Sequence, residues 1–77
     1  MIDLIKFLIQ KITGSEEFEV KESQDEKGTL FTVHAKPEII GLIIGKGGKT
    51  IKNIRRVASI RGVLENKSIS INVTETD

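Results

Sequence analysis

Apolar residues at Ile2, Ile5, Leu8, Ile9 and Ile12 recur at the spacing of one helical face, and Gly14 supplies a stop. The pattern predicts a helix over residues 2–12. FEVKES, from Phe18, and TLFTVHA, Thr29 to Ala35, alternate apolar and polar positions. They read as strands joined by the polar turn QDEKG into an antiparallel hairpin. Pro37 suits the first turn of a helix, and Glu38 favours the positive end of its dipole. PEIIGLII is therefore a short helix that ends at Gly45. A third helix opens after Gly48, with Ile51, Ile54 and Ala58 on its apolar side, Val57 at the margin and Gly62 as the expected C-cap. SISINV, Ser68 to Val73, alternates again as a last strand.

The order α-β-β-α-α-β defines an α+β fold. A strand, two helices and a returning strand make a right-handed crossover, so Thr29–Ala35 and Ser68–Val73 are expected to pair in parallel. With the hairpin this gives a three-stranded mixed sheet with three helices on one face. The 77 residues are expected to form a single domain spanning 1–77. A chain of this length buries only about 60% of its unfolded surface, which leaves little room for a deep active site.

There is no cysteine and one histidine, His34, so neither a disulfide framework nor a thiolate or histidine metal cluster can be built. His34, on a strand with no partner motif, is expected to be structural. The N-terminal stretch is interrupted by Asp3, Lys6, Gln10 and Lys11, and has neither a cleavage motif nor 18 consecutive apolar residues. No membrane association and a cytoplasmic location are expected. NKS at Asn66 and NVT at Asn72 match the glycosylation sequon, but without a secretory signal both are attributed to chance.

A net charge of +1 conceals an asymmetry. Ile39 to Leu64 contains six basic residues and no acidic one, while the other positions hold six basic and eleven acidic residues. One strongly basic segment on a nearly neutral chain suits a polyanion on one face, although charge alone fits a solvated helix face equally well. On the third helix Lys49, Lys52, Arg56 and Ser59 share a narrow arc at 100° per residue. Arg55 and Arg61 lie off that arc and read as solvated. Glu16, Glu17, Glu19, Glu22, Asp25 and Glu26 cluster in the first strand and turn as a solvated edge.

The basic arc begins at GLIIGKGGKTI, Gly41 to Ile51. A nucleotide-binding P-loop requires a glycine five residues before its Gly-Lys-Thr ending, and here Ile43 stands there. A P-loop also follows a strand, whereas this loop follows a helix. The dinucleotide pattern GxGxxG fails because Thr50 occupies its last glycine position. Gly45-Lys46-Gly47-Gly48 instead joins two helices sharply. Its glycines remove the side chains that would hold a ligand backbone away, and the helix behind it points its free N–H groups outward. That chemistry suits a phosphodiester held by amides and charge.

IIGKGGKTI, Ile43 to Ile51, resembles the signature of the KH domain, whose GXXG loop clamps about four nucleotides of a single strand. The element order resembles the prokaryotic type II KH arrangement, and the resemblance covers nearly the whole chain. It implies a single-stranded RNA-binding protein acting as an RNA chaperone or post-transcriptional regulator, with no cofactor and no small-molecule substrate. Carried over by position, Gly45, Lys46, Gly47 and Gly48 are the clamp, while Ile40, Ile43 and Thr50 line an aliphatic groove beside it. Lys49, Lys52 and Arg56 extend the positive surface. The aromatics Phe7, Phe18 and Phe31 all lie outside the basic segment, which argues against recognition by exposed stacking platforms.

No paired carboxylates, Ser-His or Cys-His arrangement indicates an enzyme. Two rivals are single-stranded DNA binding and a KH fold used for protein–protein assembly. Ile44, Ile51 and Ile54 are expected in the core. Ile60 lies near the basic arc, either tucked beside Val63 or, with Val57, forming a dimer contact. The resemblance implies self-association or pairing with another KH protein.

Overall fold

The computed structural model describes residues 1–76. Its centre is strand β2 (Gly28–Ala35), whose side chains alternate between buried and half-buried along its whole length. Thr29, Phe31, Val33 and Ala35 face the helices, while Leu30, Thr32 and His34 face away. β1 (Phe18–Asp25) pairs antiparallel with β2, and β3 (Ile69–Glu75) pairs parallel with it, giving the order β1-β2-β3. The hairpin is tighter than the sequence pattern indicated. Asp25 opposes Gly28 directly, and its Oδ1 accepts the N–H groups of Lys27 and Gly28 at 2.8 and 3.0 Å.

Three helices cover the apolar face of the sheet: α1 (Ile2–Thr13), α2 (Pro37–Ile44) and α3 (Lys49–Leu64). Ile5 and Ile9 of α1, Ile40 and Ile43 of α2, and Ile51, Ile54 and Ala58 of α3 converge with Phe31, Val33 and Ile71 into one core. Burying each large side chain of this kind contributes about 1.5–3 kcal/mol, and so small a core depends on nearly all of them. No described helix is long and apolar enough to cross a membrane.

Two expectations are corrected here. Gly62 does not cap α3 but lies buried within it, where a Cβ would sit 2.7 Å from both Ile69 Cγ1 and the Lys67 carbonyl oxygen. The helix runs two residues further, and the left-handed residue that turns the chain is Asn66, at φ 55°. Ile44, expected in the core, is 36% exposed, because α2 ends there and points it along the surface. Ile51 and Ile54 are buried as expected.

Candidate nucleic-acid interface

The link between α2 and α3 is a left-handed glycine followed by a single 3₁₀ turn, Lys46–Gly48. Gly45 (φ 75°, ψ 175°) occupies a region open essentially to glycine alone. Its N–H closes α2 on the Gly41 carbonyl at 2.9 Å, and its own carbonyl accepts from Gly48 N–H at 3.2 Å. Lys49 N–H in turn donates to the Lys46 carbonyl. Between these bonds, the N–H groups of Lys46 and Gly47 donate to no acceptor among the described residues. Both residues are exposed.

Gly48 is the N-cap of α3 and has no side chain to satisfy the helix's first amides; no acidic residue stands in its first turn. The positive end of the helix is left open, which favours an anion there. Lys46, Lys49, Lys52 and Arg56 are all exposed, so the structure brings the turn and the basic arc onto one continuous surface.

Two of the three residues expected to line the adjoining groove, Ile40 and Ile43, are placed otherwise. Ile43 is fully buried and Ile40 nearly so, because the helical period turns both into the core. Their side chains support the turn from beneath and offer no surface to a ligand. Thr50 is half-buried, and its side chain packs against Gly45. The exposed aliphatic residue next to the turn is Ile44.

One tie between elements was missed from sequence. Arg55 is exposed, but its Nε donates to the Ile71 carbonyl at 3.2 Å, tying α3 to the outer edge of β3. A cleft of about 290 Å³ lies there, lined by Arg55, Ser59 and Ile69 to Asn72. Helical angle gives Arg55 a flank position beside the buried face, yet which strand meets that flank depends on packing between elements distant in sequence. Arg61 pairs instead with Glu65, one turn on, at 3.8 Å. The acidic residues of β1 lie along the edge of the sheet opposite β3.

The α-β-β-α-α-β order, the mixed sheet and the Gly-Lys-Gly-Gly turn between its second and third helices define a KH domain of type II. A family model described as the KH domain of KhpA and KhpB matches residues 2–73, and the chain belongs to that family. It is 33% identical over 74 residues to the RNA-binding protein KhpA of Clostridium acetobutylicum, covering 90% of this chain and 99% of the relative. It is 27% identical over 74 residues to the KhpA of Clostridium perfringens, covering 95% and 99%. With the KhpA of Mycobacterium tuberculosis it shares 29% over 79 residues, covering 100% and 94%.

Proposed function

We propose that this chain binds single-stranded RNA, with Gly45-Lys46-Gly47-Gly48 clamping the sugar-phosphate backbone of about four nucleotides. The observation that carries this reading is the pair of unpartnered N–H groups of Lys46 and Gly47, set between lysines at the open positive end of α3. Phosphate oxygens accept such donors, and the absence of side chains at Gly47 and Gly48, where nothing of the protein lies nearby, lets a backbone approach them. Ile44 supplies the aliphatic surface beside the clamp, and Lys49, Lys52 and Arg56 extend the field that attracts the strand. The relatives, which are RNA-binding proteins by name, point the same way. A short, weakly selective footprint suits a role as an RNA chaperone or post-transcriptional regulator, with the cytoplasm as the proposed compartment.

The test is binding of short RNA and DNA oligomers to the parent and to the double variant Lys46→Asp, Gly47→Asp. The variant places two carboxylates at the exposed positions where phosphates would be held; aspartate at the left-handed Gly47 (φ 66°) adds some strain, so it is expected to melt a few degrees lower but stay folded while losing RNA binding. A folded variant that binds as the parent does would overturn the clamp. Equal affinity for DNA and RNA would assign the protein to single strands generally.

A second reading is carried by a separate observation. Ile60, Val63 and Leu64 are 58%, 74% and 76% exposed, and Val57 is also exposed. Neither Ile60 nor Val63 is tucked under the chain. Together they form an apolar surface on the C-terminal half of α3, suited to a second copy or another KH protein.

A further inference from the structure

Phe7 is the aromatic side chain that the fold leaves in water. Phe31 is fully buried and Phe18 packs against the core, whereas Phe7 is 53% exposed. It stands two residues from both Ile5 and Ile9, the buried residues of α1, so at 100° per residue it points away from the core. A ring in that position adds nothing to core packing, and phenylalanine is a weaker helix former than leucine or glutamate. Lys11, one turn further on, holds its Nζ 5.5 Å from the ring centroid. That pair steadies the ring, but α1 would form as well with an aliphatic residue in its place.

In sequence Phe7 lies outside the basic segment, which argues against a stacking role, but the fold sets α1 beside both α2 and α3. Arg56 likewise stands two residues from a buried pair, Ile54 and Ala58. Phe7 and Arg56 therefore both point away from the sheet, on the helical side of the molecule. Lys6 and Lys11 are exposed on α1 and outnumber its single acidic residue, Asp3. The side of the protein that carries the basic arc thus also carries an aromatic face with two further cations.

We propose that Phe7 is a stacking platform for a base of the same RNA strand, beyond the nucleotides held at the glycine turn, with Lys6 and Lys11 on the adjoining phosphates. This rests on the RNA-binding reading and extends it to a second contact site on α1. Every base has a π face, so the contact tolerates any sequence. A base laid on the ring displaces the Lys11 ammonium towards phosphate, where a full negative charge replaces the ring as its partner. At the ~3.4 Å per nucleotide of a stacked strand, a 16-nucleotide RNA is longer than the 33 Å long axis of the molecule and reaches both sites. A 5-nucleotide RNA is taken up by the clamp alone.

The chain contains no tryptophan or tyrosine, so Phe7→Trp sets a single fluorescent reporter at the site. Its emission is expected to be quenched by a 16-nucleotide oligoadenylate and unchanged by a 5-nucleotide one. Phe7→Leu keeps an apolar helix former and removes the π face. It is expected to melt within roughly 2–4 °C of the parent, to bind the 16-mer about five- to tenfold more weakly and to bind the 5-mer as the parent does. Phe7→Trp is expected to bind the 16-mer at least as tightly as the parent. Parental binding of the 16-mer by Phe7→Leu, or a tryptophan that neither RNA quenches, would overturn the platform and leave the clamp standing. An equal loss for both oligomers would also overturn it, as an effect transmitted through the fold. So would altered sedimentation of Phe7→Leu at unchanged RNA affinity, which would make this surface a protein contact. A parent that binds neither oligomer would overturn the clamp and the platform together.

Discussion

Thr50 packs so closely on Gly45 that a Cβ added to the glycine would collide with the Thr50 hydroxyl oxygen and lie 2.7 Å from its Cβ. The first residue of the turn and the second residue of α3 thus hold each other in place. Gly45→Ala incurs both the forbidden φ, ψ combination and this collision, and strain of that kind costs about 1–3 kcal/mol. The melting temperature is expected to fall by roughly 4–8 °C for each kcal/mol lost. Adding Thr50→Ala removes only the hydroxyl and γ-methyl groups, so the double variant is expected to recover part of the loss. Full recovery in a thermal melt would show that the Gly45 backbone conformation carries no strain.

Ile43 and Ile44 are adjacent and chemically identical, yet they face opposite fates. Ile43 is fully buried, so Ile43→Asn leaves an unsatisfied amide in the core and is expected to cost several kcal/mol. Ile44 is 36% exposed, and asparagine there is expected to cost about 1 kcal/mol or less. Urea unfolding separates the two, and RNA binding should be lost in Ile44→Asn while the protein remains folded. Equal destabilisation of both would place Ile44 in the core.

The alternation and helical periods carried the order of elements because burial of one face decides them locally. Val33 and Phe31 are inward whichever partner strand pairs with β2, and Pro37 and Gly45 bound α2 by backbone chemistry alone. The glycine turn was legible for the same reason. Errors arose where packing between distant elements decided the outcome. Gly62 looks like a C-cap until β3 is seen pressing on it, and Ile40 and Ile43 match the family's groove pattern although the core claims them. Arg55 gives no local sign of its tie to Ile71, since that bond spans 16 residues.

That tie has a measurable worth. Arg55→Gln removes the Nε–H donor to the Ile71 carbonyl, and the loss of one partly buried hydrogen bond is expected to cost about 0.5–1.5 kcal/mol. The guanidinium also borders the cleft between α3 and β3, so RNA affinity should fall by more than stability alone accounts for. Titration at a temperature where both proteins are fully folded isolates that part. Unchanged affinity there would confine Arg55 to a structural role.

Charge on the outer face of α3 predicts a salt dependence. If the clamp and the arc together neutralise about three phosphates, log affinity should fall with log salt at a slope of roughly −2. Lys52→Gln and Arg56→Gln should each reduce the steepness by about 0.7 and weaken all RNA sequences alike. A parental slope near zero would make the basic arc a solvated face with no part in binding.

The apolar half of α3 predicts an assembly. Ile60 is 58% exposed and flanked along the helix by exposed Val57, Val63 and Leu64, so water contacts apolar surface that the monomer's fold does not cover. Burial against a second copy would remove that surface, and the basic half of the same helix would remain outside it for RNA. Sedimentation of the parent is expected to show a dimer that dissociates on dilution, and Ile60→Lys is expected to be monomeric. Because Ile60 makes no core contribution, the substitution should leave monomer stability within about 0.5 kcal/mol, which a melt at low concentration verifies. A parent that sediments as a monomer at every concentration would rule out self-association and leave a different KH protein as the partner to test.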